Sequence, residues 1–311
     1  MFSIIIPCQT KQDLCPELLP ALKSQTLKPQ EILIVTNKIC PGDPATKRNW
    51  AAKKAKGKLL AFIDSDAYPD KNWLKNAQQH LKPKNICAVG GPNLTPPNNN
   101  VFQQISGFIW STFIGAGGAG VYRNKISKSR LVTDYPSSNL IVKKNHFNKV
   151  KGFNTSFWPG EDTKLCHDLV FKLKKQILYH PSVQVFHHRR PIFVSHLQQI
   201  SRFGYHRGLF AKILPKTSRL PGYFGPSLFI TWLILTNIFF TPIFYLTLNI
   251  YFSIIAITAM SLTFKTKNTL ISVLFFITVP LTHLTYGLYF LKGFFSPTPQ
   301  LPSKPSLIAI N

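Results

Sequence analysis

The stretch LLAFIDSDAYPD, Leu59 to Asp70, decides the fold. It opens on an uninterrupted apolar run, Leu59 to Ile63, and ends on Asp64-Ser65-Asp66 before a Pro69-Asp70 turn. An apolar run of that length reads as a buried strand of an α/β sheet. Alternation along an extended chain puts Asp64 and Asp66 on one face, close enough to share a divalent cation. Hard oxygen donors of this kind suit Mg2+ or Mn2+ holding the phosphates of a nucleotide. A lone Asp-x-Asp is more often a polar turn after a strand. Here, however, 11 Asp and Glu stand against 37 Lys and Arg, so two acids at one strand end stand out from the surface charge.

Working outward, Phe2 to Pro7 and Glu31 to Val35 are two further strand-like runs, the first closed by proline. Between them Leu14 to Ser24 has helical spacing at Leu14, Leu18, Ala21 and Leu22. Strand, helix, strand implies a right-handed crossover with parallel pairing, and ligands bind beyond the carboxyl ends of such strands. The loops after Pro7, Val35 and Ile63 are therefore expected to converge. Arg48-Asn49 opens a helix predicted over Trp50 to Ala55, which sets Arg48 near the nucleotide, while Lys53, Lys54 and Lys56 read as a solvated face.

Downstream, Trp73 to Leu81 is a short amphipathic helix and Ile86 to Val89 a strand. Apolar Phe102 to Ile114 leads into Gly115 to Gly120, which lacks the lysine and spacing of a Walker loop and is expected to form a mobile segment over the site. Pro136-Ser137-Ser138-Asn139 precedes a strand at Leu140 to Val142, so its polar side chains are expected to face the pocket. Gly160-Glu161-Asp162 then opens a helix predicted over Thr163 to Lys174. Two acids there also serve as N-terminal capping chemistry. Beside Asp64 and Asp66 they become candidates for a general base taking the proton of an attacking hydroxyl. Strands predicted at Gln176 to Tyr179 and Ser182 to Phe186 run into His187-His188-Arg189-Arg190. The pair reads as a basic patch, a structural pair or a source of one metal ligand, His188, joining Asp66. Arg202 and Arg207 follow near the membrane entry, where arginine suits bidentate phosphate contact.

No charged residue occurs from Ser227 to Phe264, and a second uncharged run covers Thr269 to Leu291. A crossing needs roughly 20 apolar residues. The runs therefore predict three spans, 227–246, 247–264 and 269–291; one tilted helix with an interfacial extension is the alternative for the first two. Lys265 and Lys267, between the second and third, place the N-terminal part on the cytoplasmic side, as does an opening with no basic n-region or cleavage pattern. The Pro-rich tail then faces outward and is expected to be disordered. Five cysteines without Cys-x-x-Cys spacing point to neither a zinc site nor a disulfide framework. A formal charge of +26 attracts nucleic acid or an anionic membrane surface; with spans present and no nucleic-acid motif, the membrane is the expected partner.

In combination, these residues resemble the family 2 glycosyltransferases with the Rossmann-like GT-A nucleotide-sugar-binding fold. The likeness runs from Phe2 to about Lys212 and rests on Ser3 to Pro7, Arg48-Asn49, Asp64-Ser65-Asp66 with Pro69-Asp70 and Trp73-Leu74, Gly152-Phe153, and Gly160-Glu161-Asp162. Gln199-Ile200-Ser201-Arg202-Phe203 is similar to the family's Gln-x-x-Arg-Trp motif, with Phe for Trp. The last span, with His283, Tyr286 and Gly287, looks like the membrane-anchored branch that builds cell-surface polysaccharide. The resulting plan is a GT-A domain over 1–215, a membrane-entry linker over 216–226, transmembrane helices within 227–292 and a tail over 293–311.

The resemblance implies roles. Asp66 would coordinate the metal on the donor diphosphate, with Asp64 orienting ribose or metal water. Asp162 would be the base of an inverting, single-displacement transfer, and Glu161 would shape the acceptor site. Arg202, with Gln199 and His188, would hold the pyrophosphate, while Pro7, Asn37 and Arg48 would line the nucleotide. The family usually carries an Asp directly after its second strand to read the base, and Thr36-Asn37 stands there instead. UDP, GDP and TDP all stay open as donors. The expected activity is transfer from a nucleotide sugar to a lipid-linked glycan at the cytoplasmic face of the cell (inner) membrane. Transfer directly onto polyprenyl phosphate and a non-catalytic membrane scaffold are the alternatives.

Overall fold

The computed structural model describes residues 1–118 and 120–298. They fall into two compact units, Met1–Leu94 with Lys125–His187, and Thr95–Asn124 with residues 188–298. The strands are β1 (Phe2–Pro7), β2 (Glu31–Val35), β3 (Leu59–Ile63), β4 (Ala67–Pro69), β5 (Ile86–Gly90), β6 (Asn93–Leu94), β7 (Arg130–Val132), β8 (Asn139–Lys143), β9 (Gln176–Tyr179) and β10 (Val185–His187). The helices run α1 (Leu18–Lys23), α2 (Pro44–Lys54), α3 (Trp73–His80), α4 (Val101–Ser111), α5 (Phe113–Ala116), α6 (Lys144–Lys149), α7 (Glu161–His167), α8 (Val194–Ile213) and α9 (Pro215–Ser218). Three long ones follow: α10 (Pro221–Phe239), α11 (Thr241–Thr266) and α12 (Thr269–Phe295).

The first unit is a mixed sheet in the order β2-β1-β3-β8-β5-β9-β7. β1 is buried along its whole length and pairs in parallel with both β2 and β3, as continuous apolar runs require. β8 joins β3 to β5 antiparallel to both. Ile4, Ile6, Leu18, Leu22, Ile63, Trp73 and Ile141 meet in one core. A smaller sheet, β4-β10-β6, stands beside the end of β3. The helix expected from Leu14 begins only at Leu18, because the chain before it is drawn to the acidic turn: the Cys15 N–H donates to the Ser65 carbonyl at 2.8 Å. α2 in turn starts earlier than expected. Asp43 caps it, accepting from the Thr46 N–H at 2.8 Å, and Pro44 supplies a preset first turn. Arg48 thereby sits inside the helix and buried, rather than at its open start.

The second unit holds three helices long and apolar enough to cross a membrane, α10, α11 and α12. The first uncharged run breaks at Phe240, not between 246 and 247 as expected. Phe240 leaves helical geometry (φ −146°, ψ 60°), and Pro242 starts the next helix where its missing N–H costs nothing. Residues 216–226, expected as a linker, form most of α9 and the start of α10. α12 runs on to Phe295, and the expected tail from 299 lies outside the described residues. α8 lies close along α12 because both carry glycine at the contact: a Cβ on Gly208 would come to 2.1 Å of the Phe290 carbonyl oxygen.

The apolar stretch Phe102 to Ile114, which leads into the glycine segment, forms the capped helix α4 and the start of α5. Asn100 and Gln103 form a capping box, and Ile105 and Ile109 pack with Ile255, Ala259, Ile271, Phe275 and Val279. Gly115 belongs to α5, and Gly117 and Gly118 follow it with positive φ.

Candidate active site

β3 delivers Asp64 at its end, and the chain turns through Ser65 and Asp66 into β4. β10 runs antiparallel to β4 with His187 opposite Ala67, which brings His187 Nε2 to 3.0 Å from Asp66 Oδ1. Asp64, Asp66 and His187 each offer one donor atom, all within 4.8 Å of one another. Two hard carboxylates and one imidazole fit Mg2+ or Mn2+, the imidazole favouring Mn2+. The expectation named His188. β10 ends at His187, and the next residue, His188, has its Nδ1 2.6 Å from the Asn99 side-chain nitrogen instead.

Arg48 is buried beneath these acids. Its Nη2 donates to Asp64 Oδ1 at 2.6 Å and its Nη1 to Glu161 Oε1 at 2.9 Å. Expected at the nucleotide, it is a strut between the two acidic motifs. Its neighbour completes the tie: Asn49 Nδ2 donates to the Phe153 carbonyl at 2.7 Å and Asn49 Oδ1 accepts the Phe153 N–H at 2.9 Å. Gly152 makes this possible, with φ +73° and no Cβ where one would come to 2.6 Å of Asn49 Oδ1.

Glu161 and Asp162 form the first turn of α7, two residues earlier than the helix was expected to begin. Glu161 is buried, and burial, then the charge of Asp162, push its carboxyl up to about 7 against the pull of Arg48. Asp162 is half-buried. Its Oδ1 accepts the Thr163 N–H at 2.8 Å and its Oδ2 the Ser137 N–H at 3.4 Å. Burial raises its pKa, and so does the nearby charge of Asp134, whose carboxylate accepts from Thr163 Oγ1 at 2.9 Å. A carboxylate held in place, partly open to the surface and raised in pKa has what a general base needs. Glu161, tied to Arg48, does not.

Asn139, expected to face the pocket, is fully buried and structural. It accepts from Trp73 Nε1 at 2.9 Å and donates to the Gly91 and Val183 carbonyls at 2.6 and 2.8 Å. Pro7 closes β1, and Asn37 is exposed after β2 with its N–H on the Gln9 carbonyl at 2.9 Å. Gln199, half-buried, and Arg202, exposed, lie on α8 of the second unit. Three residues of the site escaped the sequence reading: His187, Asp134 and Thr163. Only His187 left a signal, as a strand's last residue before a basic run.

Residues 59–290 match the sequence profile described as Glycosyl transferase family group 2. The pre-mycofactocin glycosyltransferase of Mycobacterium tuberculosis is 25% identical over 149 residues, 47% of this chain and 30% of that protein. The O-antigen biosynthesis protein RfbC of Myxococcus xanthus is 26% identical over 195 residues, 52% of this chain and 15% of that protein. The chain thus spans less than a third of either relative's length. A mannosyltransferase of Pyrobaculum calidifontis, solved with GDP-Man and Mn2+, has a similar fold, with a TM-score of 0.54 at 16% identity over 94% of this chain and 87% of that one. With the profile matched across most of its length and a mixed α/β sheet of the GT-A type, this chain belongs to glycosyl transferase family group 2.

Proposed function

We propose that the protein is a metal-dependent, inverting glycosyltransferase. It moves a sugar from a nucleotide-sugar donor to a lipid-linked glycan at the cytoplasmic membrane face, in the synthesis of a cell-surface polysaccharide. The observation that carries the reading is one buried arginine, Arg48, joining the Asp64 turn to the Glu161-Asp162 turn. A metal-ligand set and a candidate base are thereby held in one constellation.

Asp64, Asp66 and His187 would hold Mg2+ or Mn2+, which supplies positive charge to the departing diphosphate when bound. Asp162 accepts the proton of the acceptor hydroxyl as that oxygen forms its bond to the anomeric carbon and the bond to the nucleoside diphosphate breaks. A single displacement of this kind inverts the anomeric configuration. The N–H groups of Thr163 and Ser137 keep the Asp162 carboxylate aimed, and Arg48 keeps Glu161 and Asp64 fixed without touching substrate. Arg202 and Gln199 are assigned to the pyrophosphate, Pro7 and Asn37 to the nucleotide.

The GDP-Man and Mn2+ of the Pyrobaculum neighbour support the donor class, and the name of the Myxococcus relative supports the polysaccharide. Lys265 in the last turn of α11 and Lys267 directly after it support the cytoplasmic face. The test is a screen of UDP-, GDP- and TDP-sugars with Mn2+ on the full-length protein in detergent, with the anomeric configuration of any product read by NMR. One donor giving an inverted product is expected. A retained configuration, or no donor engaged by folded protein, overturns the proposal.

A further inference from the structure

The sheet unit holds two histidines that the proposed chemistry does not use. His80 ends α3 and His180 follows β9; their half-buried rings stack with centroids 3.6 Å apart and planes 29° from parallel. Ser182 joins them. Its backbone N–H donates to His180 Nδ1 at 3.3 Å, so that nitrogen carries a lone pair. The Ser182 hydroxyl, 2.8 Å away, therefore donates to the same nitrogen. With its proton committed there, Ser182 Oγ accepts from His80 Nε2 at 3.4 Å. This relay fixes the tautomer of each ring and leaves His180 Nδ1 no place for a proton. The connection it fastens sets the place of β10. The His180 N–H donates to the Gly90 carbonyl at 2.9 Å, and the Ser182 carbonyl accepts from Asn76 Nδ2 of α3 at 2.7 Å. The Val183 carbonyl accepts from Asn139 Nδ2 at 2.8 Å and the Gln184 carbonyl from the Asp70 N–H at 3.1 Å. Gly91 packs so closely that a Cβ there would come to 1.9 Å of the Val183 carbonyl oxygen.

Residues 71–94 and 175–187 contain no Asp or Glu, so the elements that carry the pair supply no carboxylate to offset a charge on it. The other titratable side chains there are Lys75 of α3, Lys82 and Lys84 after it, Cys87 of β5 and Tyr179 of β9, with Lys143 of β8 donating to the Pro83 carbonyl at 2.9 Å. Asp70 stands ahead of α3, its carboxylate accepting the Asn72 N–H at 2.8 Å. Two protons on the pair would set two cations face to face. Burial holds both imidazoles below their ordinary pKa, and the charge of His80 adds to the effect on His180. We propose that His80, Ser182 and His180 form a proton-sensitive latch: neutral, it fastens the 180–184 connection to α3; protonated, it lets that connection and β10 open. A group kept neutral in the closed form takes its proton only on opening. Closure is therefore fully stable above about pH 6.5, the ordinary value of a histidine, and is lost as pH falls below it. The last residue of β10 is His187, so opening reaches the imidazole beside Asp66. The inference concerns the sheet unit alone and does not depend on the transfer reaction.

The test is amide hydrogen exchange of the full-length protein in detergent, with each rate divided by its intrinsic value at the same pH. One pH unit below about 6.5, each histidine barred from protonation in the closed form raises the opening constant about tenfold. The Val183 and Val185 amides, which donate to the His180 and Pro92 carbonyls, should therefore open at least about tenfold more at about pH 5.5 than at about pH 7.5. The Ile5 and Phe62 amides of β1 and β3 should keep their protection. His180→Asn, whose side-chain carbonyl still accepts from Ser182 but does not titrate, should lose about a factor of ten of that response. His80→Phe, which keeps the stack, should lose a smaller factor. Equal opening of Val183 and Val185 at both pH values in the wild type overturns the latch. So does a response of wild-type size in His180→Asn, or a loss of protection at Ile5 and Phe62 as large as that at Val183, which is acid unfolding of the whole sheet.

Discussion

In the sheet unit Arg48 is buried with a carboxylate on either side, at 2.6 and 2.9 Å; in the unit of the long helices Arg123 and Arg207 meet at Tyr223 in a sequence that supplies no acid. The first arrangement is closed: the cation organises acids whose work is done on a substrate brought to them. The second sets cations against aromatic rings, in segments whose charged residues are all Lys or Arg. A net charge of +26 is therefore misleading as a single number, because nearly balanced chemistry at one site coexists with an entirely cationic surround elsewhere.

The largest effect that sharpens this contrast belongs to the base. Asp162→Asn should lower kcat by about 10²–10⁴-fold in donor turnover assays while leaving nucleotide-sugar binding intact. Breaking the closed arrangement comes next. Arg48→Met leaves Asp64 and Glu161 facing each other without their cation, and should cost about 3–5 kcal/mol in denaturant unfolding of the detergent-solubilised protein. In the helical unit, Gly208→Leu drives a side chain into the Phe290 carbonyl and should destabilise by about 1–3 kcal/mol, read as a lower midpoint of helix loss. Donor affinity should not change, and a parallel fall in affinity would erase the distinction between the units.

The smallest effect is in pH. A base works ionised, so a raised Asp162 pKa makes turnover rise with pH through that elevated value and fall away below it. Asp134→Asn removes a neighbouring negative charge, which lowers the Asp162 pKa and should move the acid limb of the kcat profile to lower pH. An unmoved limb would mean that Asp162 is not the titrating base.

The place of Asp64 and Asp66 was legible because strand length is a local property of the chain, and β2 and β3 begin and end at the predicted residues; what brings the two acids together is the turn after β3 and not alternation along an extended chain. The role of Arg48 was not legible. Its partner Glu161 is 113 residues away, and nothing near Arg48 records that meeting. His187 and His188 are adjacent in sequence, so only the register of β10 on β4 separates them. Asp134 enters through the start of α7, in a region with no clear period. The long helices were legible as uncharged runs, yet the first break was misplaced, since an all-apolar run carries no phase and the decisive feature is the local geometry at Phe240.

The most direct test of the central claim, that the two acidic motifs divide metal-dependent donor binding from proton removal, is calorimetric titration of nucleotide sugar with Mn2+ into wild type, Asp66→Ala and Asp162→Asn. The account predicts Mn2+-dependent binding in the wild type, its loss in Asp66→Ala, and wild-type affinity without turnover in Asp162→Asn. Equal binding in Asp66→Ala and the wild type, or turnover persisting in Asp162→Asn, would contradict it.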